Sequence, residues 1–177
     1  MEEFESHDMS WLHSHENNVT DASGIRFDLF VRSLGAVQGS HGRQASILDR
    51  VDRLDRTDVV DTTRVTVWGD SVCVSECCAD NDTVRAIRDR IDVFRSWARG
   101  NGHRAIGFRE REVTSSITEE SFDVIDLPTI SLAVYVDSRL DGVFPVAVEG
   151  EEWTIERYLD WFERSRTPAG SLLVADA

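Results

Sequence analysis

Residues 130–136 read Ile-Ser-Leu-Ala-Val-Tyr-Val (ISLAVYV), a nearly continuous apolar run of strand length. A strand with one wet face alternates apolar and polar side chains, so a run that is apolar at both parities predicts a strand covered on both faces or central in a sheet. Upstream, Ile25, Phe27, Leu29 and Val31 alternate with mainly polar neighbours and predict a half-buried strand. Three glycines between Leu34 and Gly42 make a loop, after which Ile47, Leu48, Val51 and Leu54 recur at helical spacing and predict a helix over about 41–56. Thr62–Trp68 is β-branched and alternating, with Gly69-Asp70 as a turn and Val72-Cys-Val74 as a short continuation. Val84, Ile87, Ile91, Phe94 and Ala98 step by three and four along one stripe, with Asp80 or Asp82 available as cap and Gly100-Asn-Gly102 as stop. Arg104–Val113 alternates weakly as a third strand, and Thr114–Glu120 reads as a polar hairpin tip. Downstream of ISLAVYV, Val143–Val148 is broken by Pro145, which cannot donate to a ladder and so predicts an edge strand. Ile155, Tyr158, Leu159 and Phe162 then define a short amphipathic helix after Thr154.

The order β-α-β-α-β-β, with an edge strand and a terminal helix, predicts an α+β protein: a ferredoxin-like βαβαββ sandwich, mostly antiparallel, with two helices on one face. A parallel dinucleotide-binding sheet is the rival, but neither strand-to-helix connection carries G-x-G-x-x-G. Residues 1–23 are polar and acidic and read as a disordered arm, 24–166 as one domain and 167–177 as a frayed tail.

Composition sets the solvent. The chain has 177 residues and a formal charge of −14, and all 19 of its basic residues are arginine. Lysine is normally among the commonest residues, so its absence beside 33 carboxylates reads as a proteome-wide bias of the kind found in salt-in halophilic archaea. At about 1 M salt the Debye length is only about 3 Å, so such a surface is tolerable, and its acidity is no argument for a basic partner. The N-terminus has neither a basic region nor an apolar run, and no window approaches a membrane span, so the sequence reads as cytoplasmic with no membrane partner. Asn18-Val-Thr20 and Asn81-Asp-Thr83 match a glycosylation triplet too short to carry weight.

All three cysteines fall in VCVSECCADND, residues 72–82. They admit three readings. A structural zinc site wants four ligands; Cys73-x₃-Cys77 has a usable spacing, but the fourth would have to come from His103 or from His7, His13 or His15. A redox role for Cys77 and Cys78 is favoured by the helix start near Asp82 and opposed by Glu76, Asp80 and Asp82, whose charges raise a thiol pKa. The favoured reading is that of small, buryable side chains. No G-x-S-x-G, P-loop or H-E-x-x-H pattern is present, and His41 and His103 sit in loops where proximity to a carboxylate carries little information. Trp68, Trp97, Trp153 and Trp161 read mainly as core, with an apolar patch for a dimer or a small-ligand cleft as the alternative.

The segments RFDLFVRSLG, HGRQASILDRVDRLDR and TTRVTVWG, within residues 26–69, resemble the opening of short haloarchaeal proteins that carry a helix-turn-helix label. Arg32-Ser-Leu34, the helix beginning near Arg43-Gln44, and Val67-Trp-Gly69 carry the resemblance. It implies DNA contact and transfers no functional residue. A helix-turn-helix needs two helices joined by a turn of about three or four residues, whereas the helix predicted here leads into a strand. Arg43, Arg50 and Arg53 are the residues it would offer to phosphate, interleaved with Asp49, Asp52 and Asp55. The sequence therefore supports a non-enzymatic binding or regulatory protein without a cofactor, linked to transcription through the resemblance. Homodimerisation, a small ligand and nucleic acid are left open as partners. The alternative is a thiol-based redox sensor or small metal-binding protein centred on Cys73, Cys77 and Cys78, and an unrecognised hydrolase is a third reading.

Overall fold

A computed structural model describes residues 8–34 and 41–166. Its elements run α1 (Asp8–Thr20), β1 (Ile25–Val31), α2 (His41–Arg56), β2 (Thr62–Val67), β3 (Ser71–Cys73), a 3₁₀ turn (Glu76–Cys78), α3 (Asp82–Gly100), β4 (His103–Ala105), β5 (Arg109–Thr114), β6 (Ser121–Asp126), β7 (Ile130–Val136), β8 (Arg139–Phe144), β9 (Val146–Val148), β10 (Glu151–Trp153) and α4 (Ile155–Arg166). This is a mixed α+β architecture with four helices and three sheets.

ISLAVYV is β7, and all seven of its residues are buried. It pairs antiparallel with β1 on one side and β8 on the other, inside a sheet of order β2-β1-β7-β8. The two parities of β7 feed two cores. Ile130, Leu132, Val134 and Val136 join Phe27, Leu29 and Val31 of β1 under α2 and α4, through Ile47, Val51, Leu54, Tyr158, Leu159 and Phe162. Ala133 and Tyr135 join Phe30 on the opposite face, under Ile91 and Phe94 of α3. The helices therefore cover both faces, and the expectation of two helices on one face is corrected. Residues apolar at both parities need a cover on each side, because burying only one face would leave the other set in water.

The sheet order also departs from a ferredoxin-like sandwich. There the first βα unit is split, with another strand between its two strands; here β1 hydrogen-bonds directly to β2 in parallel, from Arg26↔Thr62 to Val31↔Val67. The predicted third strand divides. β4 pairs with β9, and β5 pairs with β6, in two small sheets. Gly107 stands at the division with φ +92°, and a Cβ there would lie 2.7 Å from Cβ of Pro128, so only glycine passes this turn unstrained. β6 was not anticipated, although Phe122 and Val124 alternate with polar neighbours in SFDVID.

The N-terminal segment brings a second correction. Residues 8–20, expected within a disordered arm, form α1, and Val19 and His15 are each 1% exposed. Trp11, His15 and Val19 recur at a spacing of four, which places them on one helical face against the body. The arm residues 1–7 and the tail 167–177 lie outside the described residues. No described helix is long and apolar enough to cross a membrane.

Candidate functional site

The cysteines gather where β3 hands over to α3. β3 is fixed by pairing with β6, Cys73 facing Val124. The chain beyond it is held by the Val74 amide on the Asp123 carbonyl (2.8 Å), while the Ser75 hydroxyl accepts from the Asp123 amide (2.8 Å). The 3₁₀ turn follows, closed by the Cys78 amide on the Ser75 carbonyl (3.1 Å). Asn81, not Asp80 or Asp82, then caps α3, its side chain accepting from the Val84 amide at 3.0 Å. The turn is thus anchored at both ends, and it folds a six-residue span back so that Cys73 and Cys78 share a disulfide across a Cα–Cα distance of 6.2 Å. Cys77 carries a free, exposed thiol whose Sγ lies 3.6 Å from that of Cys78. All three sulfur atoms lie within 4.8 Å of one another.

This arrangement corrects the favoured reading of the cysteines as small buried side chains: Cys77 is exposed, and Cys73 and Cys78 are only half-buried. It brings together the two redox candidates, Cys77 and Cys78, and adds Cys73 as the bonded partner. Among the described residues no histidine or carboxylate joins the three-sulfur group. His15 is committed elsewhere, and His103 stacks edge-on with Trp11 and Trp97, its ring centroid 5.0 and 5.8 Å from theirs. His7 and the side chain of His41 lie outside the described residues.

The cysteine turn leads directly into one wall of a cleft of about 460 Å³. Phe30 and Trp68 supply its apolar surface, Arg64 and Thr66 of β2 one wall, and Thr83, Ile87 and Arg90 of α3 the other. Arg90 is held across Phe30, its guanidinium carbon 5.5 Å from the ring centroid, by donating to the Tyr135 hydroxyl at 2.8 Å. Asp28, also in the lining, is buried and paired with Arg26 at 3.0 Å. The volume falls within the range of small-ligand sites.

Two of the three arginines read as phosphate contacts face α4. Arg43 forms a bidentate pair with Glu156, whose carboxyl is held below the usual range by that hydrogen bond. Arg50 donates to Asp160 at 2.7 Å and Glu163 at 3.2 Å. Arg53 is exposed on the same helix. The sequence showed the interleaved aspartates but not these partners, which lie more than a hundred residues away.

Sequence reading also missed a buried polar cluster. His15 Nδ1 bonds to Asp141 of β8, and His15 Nε2 meets the Tyr158 hydroxyl at 2.9 Å. Asn18 donates to the other Asp141 oxygen at 2.9 Å. Although the order Tyr-His-Asp resembles a nucleophile with its base and orienting acid, burial first and the Asp141 charge second push the phenol well above its ordinary value of 10. The cluster ties α1 to β8 and α4 through His15 and Asn18.

No curated protein and no solved structure matches the chain. A family described as a helix-turn-helix domain matches residues 19–167, from the last turn of α1 to the end of α4. Among the described residues no two α-helices follow one another without a strand between them; the nearest approach is the 3₁₀ turn at Glu76–Cys78 followed by α3. With the match spanning both cores and the cysteine turn, the chain belongs to this helix-turn-helix domain family.

Proposed function

We propose that this chain is a non-enzymatic regulatory protein of a salt-rich archaeal cytoplasm, acting in transcription control, with the cysteine turn as its input. The observation that carries the reading is a disulfide between Cys73 and Cys78 with the free Cys77 thiol 3.6 Å from one of its sulfurs. Cytoplasmic thiols are normally kept reduced, and disulfides that do form there are usually transient and sensing. A thiol beside a disulfide also gives an exchange that needs no external oxidant. The Cys77 thiolate attacks Sγ of Cys78, the 73–78 bond breaks as the 77–78 bond forms, and Cys73 leaves as the thiolate that takes up the proton.

The output follows from position. With the bond made, the head of α3 is tied to the end of β3; with it reduced, the Asn81 cap and the packing of Val84 and Ile87 hold that end alone. Because Ile87 and Arg90 form a wall of the cleft, the redox state biases the cleft and the outward face of α3 together. α3 carries five arginines and three aspartates in a chain of net charge −14. DNA contact rests on the family and on Arg88 and Arg99 of α3 with Arg53, since Arg43 and Arg50 are engaged with α4 and Arg85, Arg90 and Arg95 with Asp82, Tyr135 and Glu110. The −14 charge and the all-arginine composition support the salt-rich setting.

The test is to tag the chain in a halophilic host, crosslink in native salt with and without mild peroxide, and sequence the recovered DNA. Enrichment at defined sites that changes with peroxide in the wild type, and does not change in a C73S/C78S variant, is the expected result. Absence of enrichment over an untagged control sinks the transcriptional reading, and enrichment indifferent to peroxide sinks the thiol input.

A further inference from the structure

We infer that the same three cysteines, when reduced, form an all-sulfur site for one soft, thiophilic metal ion, with Cu(I) the best fit. The inference rests on the reading of this turn as chemically active, and adds the ligand that the reduced state takes.

The geometry is close to what an ion requires. With metal–sulfur bonds of about 2.3 Å, three sulfurs around a three-coordinate ion stand about 4.0 Å apart. The three Sγ atoms here lie within 4.8 Å of one another, with Cys77 and Cys78 at 3.6 Å. Reduction of the 73–78 bond lets those two sulfurs separate to the needed spacing, and the remaining adjustment is under 1 Å. The donor set then selects the ion. Thiolates favour soft ions over magnesium or calcium, and no histidine or carboxylate among the described residues joins the group to complete the tetrahedron of a structural zinc site.

The frame is fixed before any ion arrives. Cys73 lies in the β3–β6 ladder, Ser75 is clamped to Asp123, and Asn81 caps the helix just beyond Cys78. A ligand set held this way loses little conformational freedom on binding. Cys77 is exposed and gives the ion an entrance, while Cys73 and Cys78 are half-buried and shield it.

The chemistry balances simply. A dithiol reductant supplies the two electrons and two protons that open the 73–78 bond, and each thiol that coordinates releases its proton to solvent. Peroxide acting on the metal-free pair removes two electrons and two protons, forms the 73–78 bond and yields two waters. Ion and disulfide use the same sulfurs and exclude one another, so occupancy by the ion protects the pair from oxidation.

The experiment uses the full chain, reduced and held under anaerobic conditions, with Cu(I) or Zn(II) offered in competition with a chromogenic chelator. One Cu(I) withheld per chain, with thiolate-to-copper charge-transfer absorption, is the expected result, together with at least a tenfold loss of affinity in C77S. A C73S/C77S/C78S variant that keeps its circular dichroism should withhold none. No Cu(I) withheld by the wild type overturns the site, as does equal retention by the triple variant or retention of Zn(II) alone. A parallel thiol count after peroxide separates the two claims: an ion held by a turn that never forms its disulfide refutes the switch and leaves the metal site standing, and a disulfide without an ion does the reverse.

Discussion

Removing the Asp141 carboxylate should release α1 from the body. Asp141 accepts from two side chains of that helix, His15 and Asn18, and His15 is 1% exposed. In Asp141→Ala the His15 ring loses its partner at Nδ1 while its other nitrogen stays on Tyr158, so a buried donor is left unsatisfied at a cost of about 1–3 kcal/mol. Loss of the more exposed Asn18 bond adds about 1 kcal/mol. The expected loss is therefore about 2–4 kcal/mol, which for a domain of this size lowers the midpoint by roughly 5–15 °C. Molar salt should change this little, because the pair is buried: the His15 side chain is 1% exposed and that of Asp141 12%. Thermal unfolding gives the magnitude, and hydrogen exchange gives the location, with the amides of residues 8–20 exchanging ahead of β1 and β7. Asp141→Asn, which keeps an acceptor, should fall between the two. A midpoint within about 2 °C of wild type, or uniform destabilisation with α1 as protected as the core, would refute the reasoning.

Three further outcomes follow from single contacts. Because burial raises the Tyr158 phenol well above 10, the folded state keeps this proton where the unfolded chain loses it. The associated stability is complete below pH 10 and falls by about 1.4 kcal/mol per pH unit above it; Tyr158→Phe should be weaker at pH 7 and show a shallower alkaline decline in denaturant titrations. Gly107→Ala combines a left-handed backbone with a 2.7 Å approach to Pro128 and should lower stability by roughly 2–4 kcal/mol by chemical denaturation, whereas a cost under 0.5 kcal/mol would show that the turn relaxes. Arg50→Ala removes a pair whose carboxylates are 60% and 38% exposed, so its cost should stay below about 1 kcal/mol in dilute buffer and shrink further in molar salt.

What was legible in the sequence depended on whether the information was local. ISLAVYV announced a doubly covered strand because both parities are apolar, and the stripe Ile91, Phe94, Ala98 marked the buried face of α3. The side on which each helix lies was not legible, since amphipathicity says that a face is covered and not which sheet face covers it. α1 was missed because its docking face runs Trp11, His15, Val19, and a histidine in the middle of a stripe reads as polar until Asp141 and Tyr158 are known to meet it. Arg43 and Arg50 looked available because their partners arrive 113 and 110 residues later on a neighbouring helix. The cysteine site depended on a 3₁₀ turn that no periodicity announces, which brings positions five apart into bonding distance.

The measurement that bears most directly on the central claim is a disulfide map of the chain, acid-quenched from a halophilic host before and after mild peroxide and resolved by mass spectrometry of alkylated peptides. Three alkylated cysteines are expected before treatment, and afterwards a 73–78 bond with Cys77 alkylated or, where exchange has followed, a 77–78 bond with Cys73 alkylated. Three thiols surviving peroxide, or a bond between chains through Cys77, would contradict the claim.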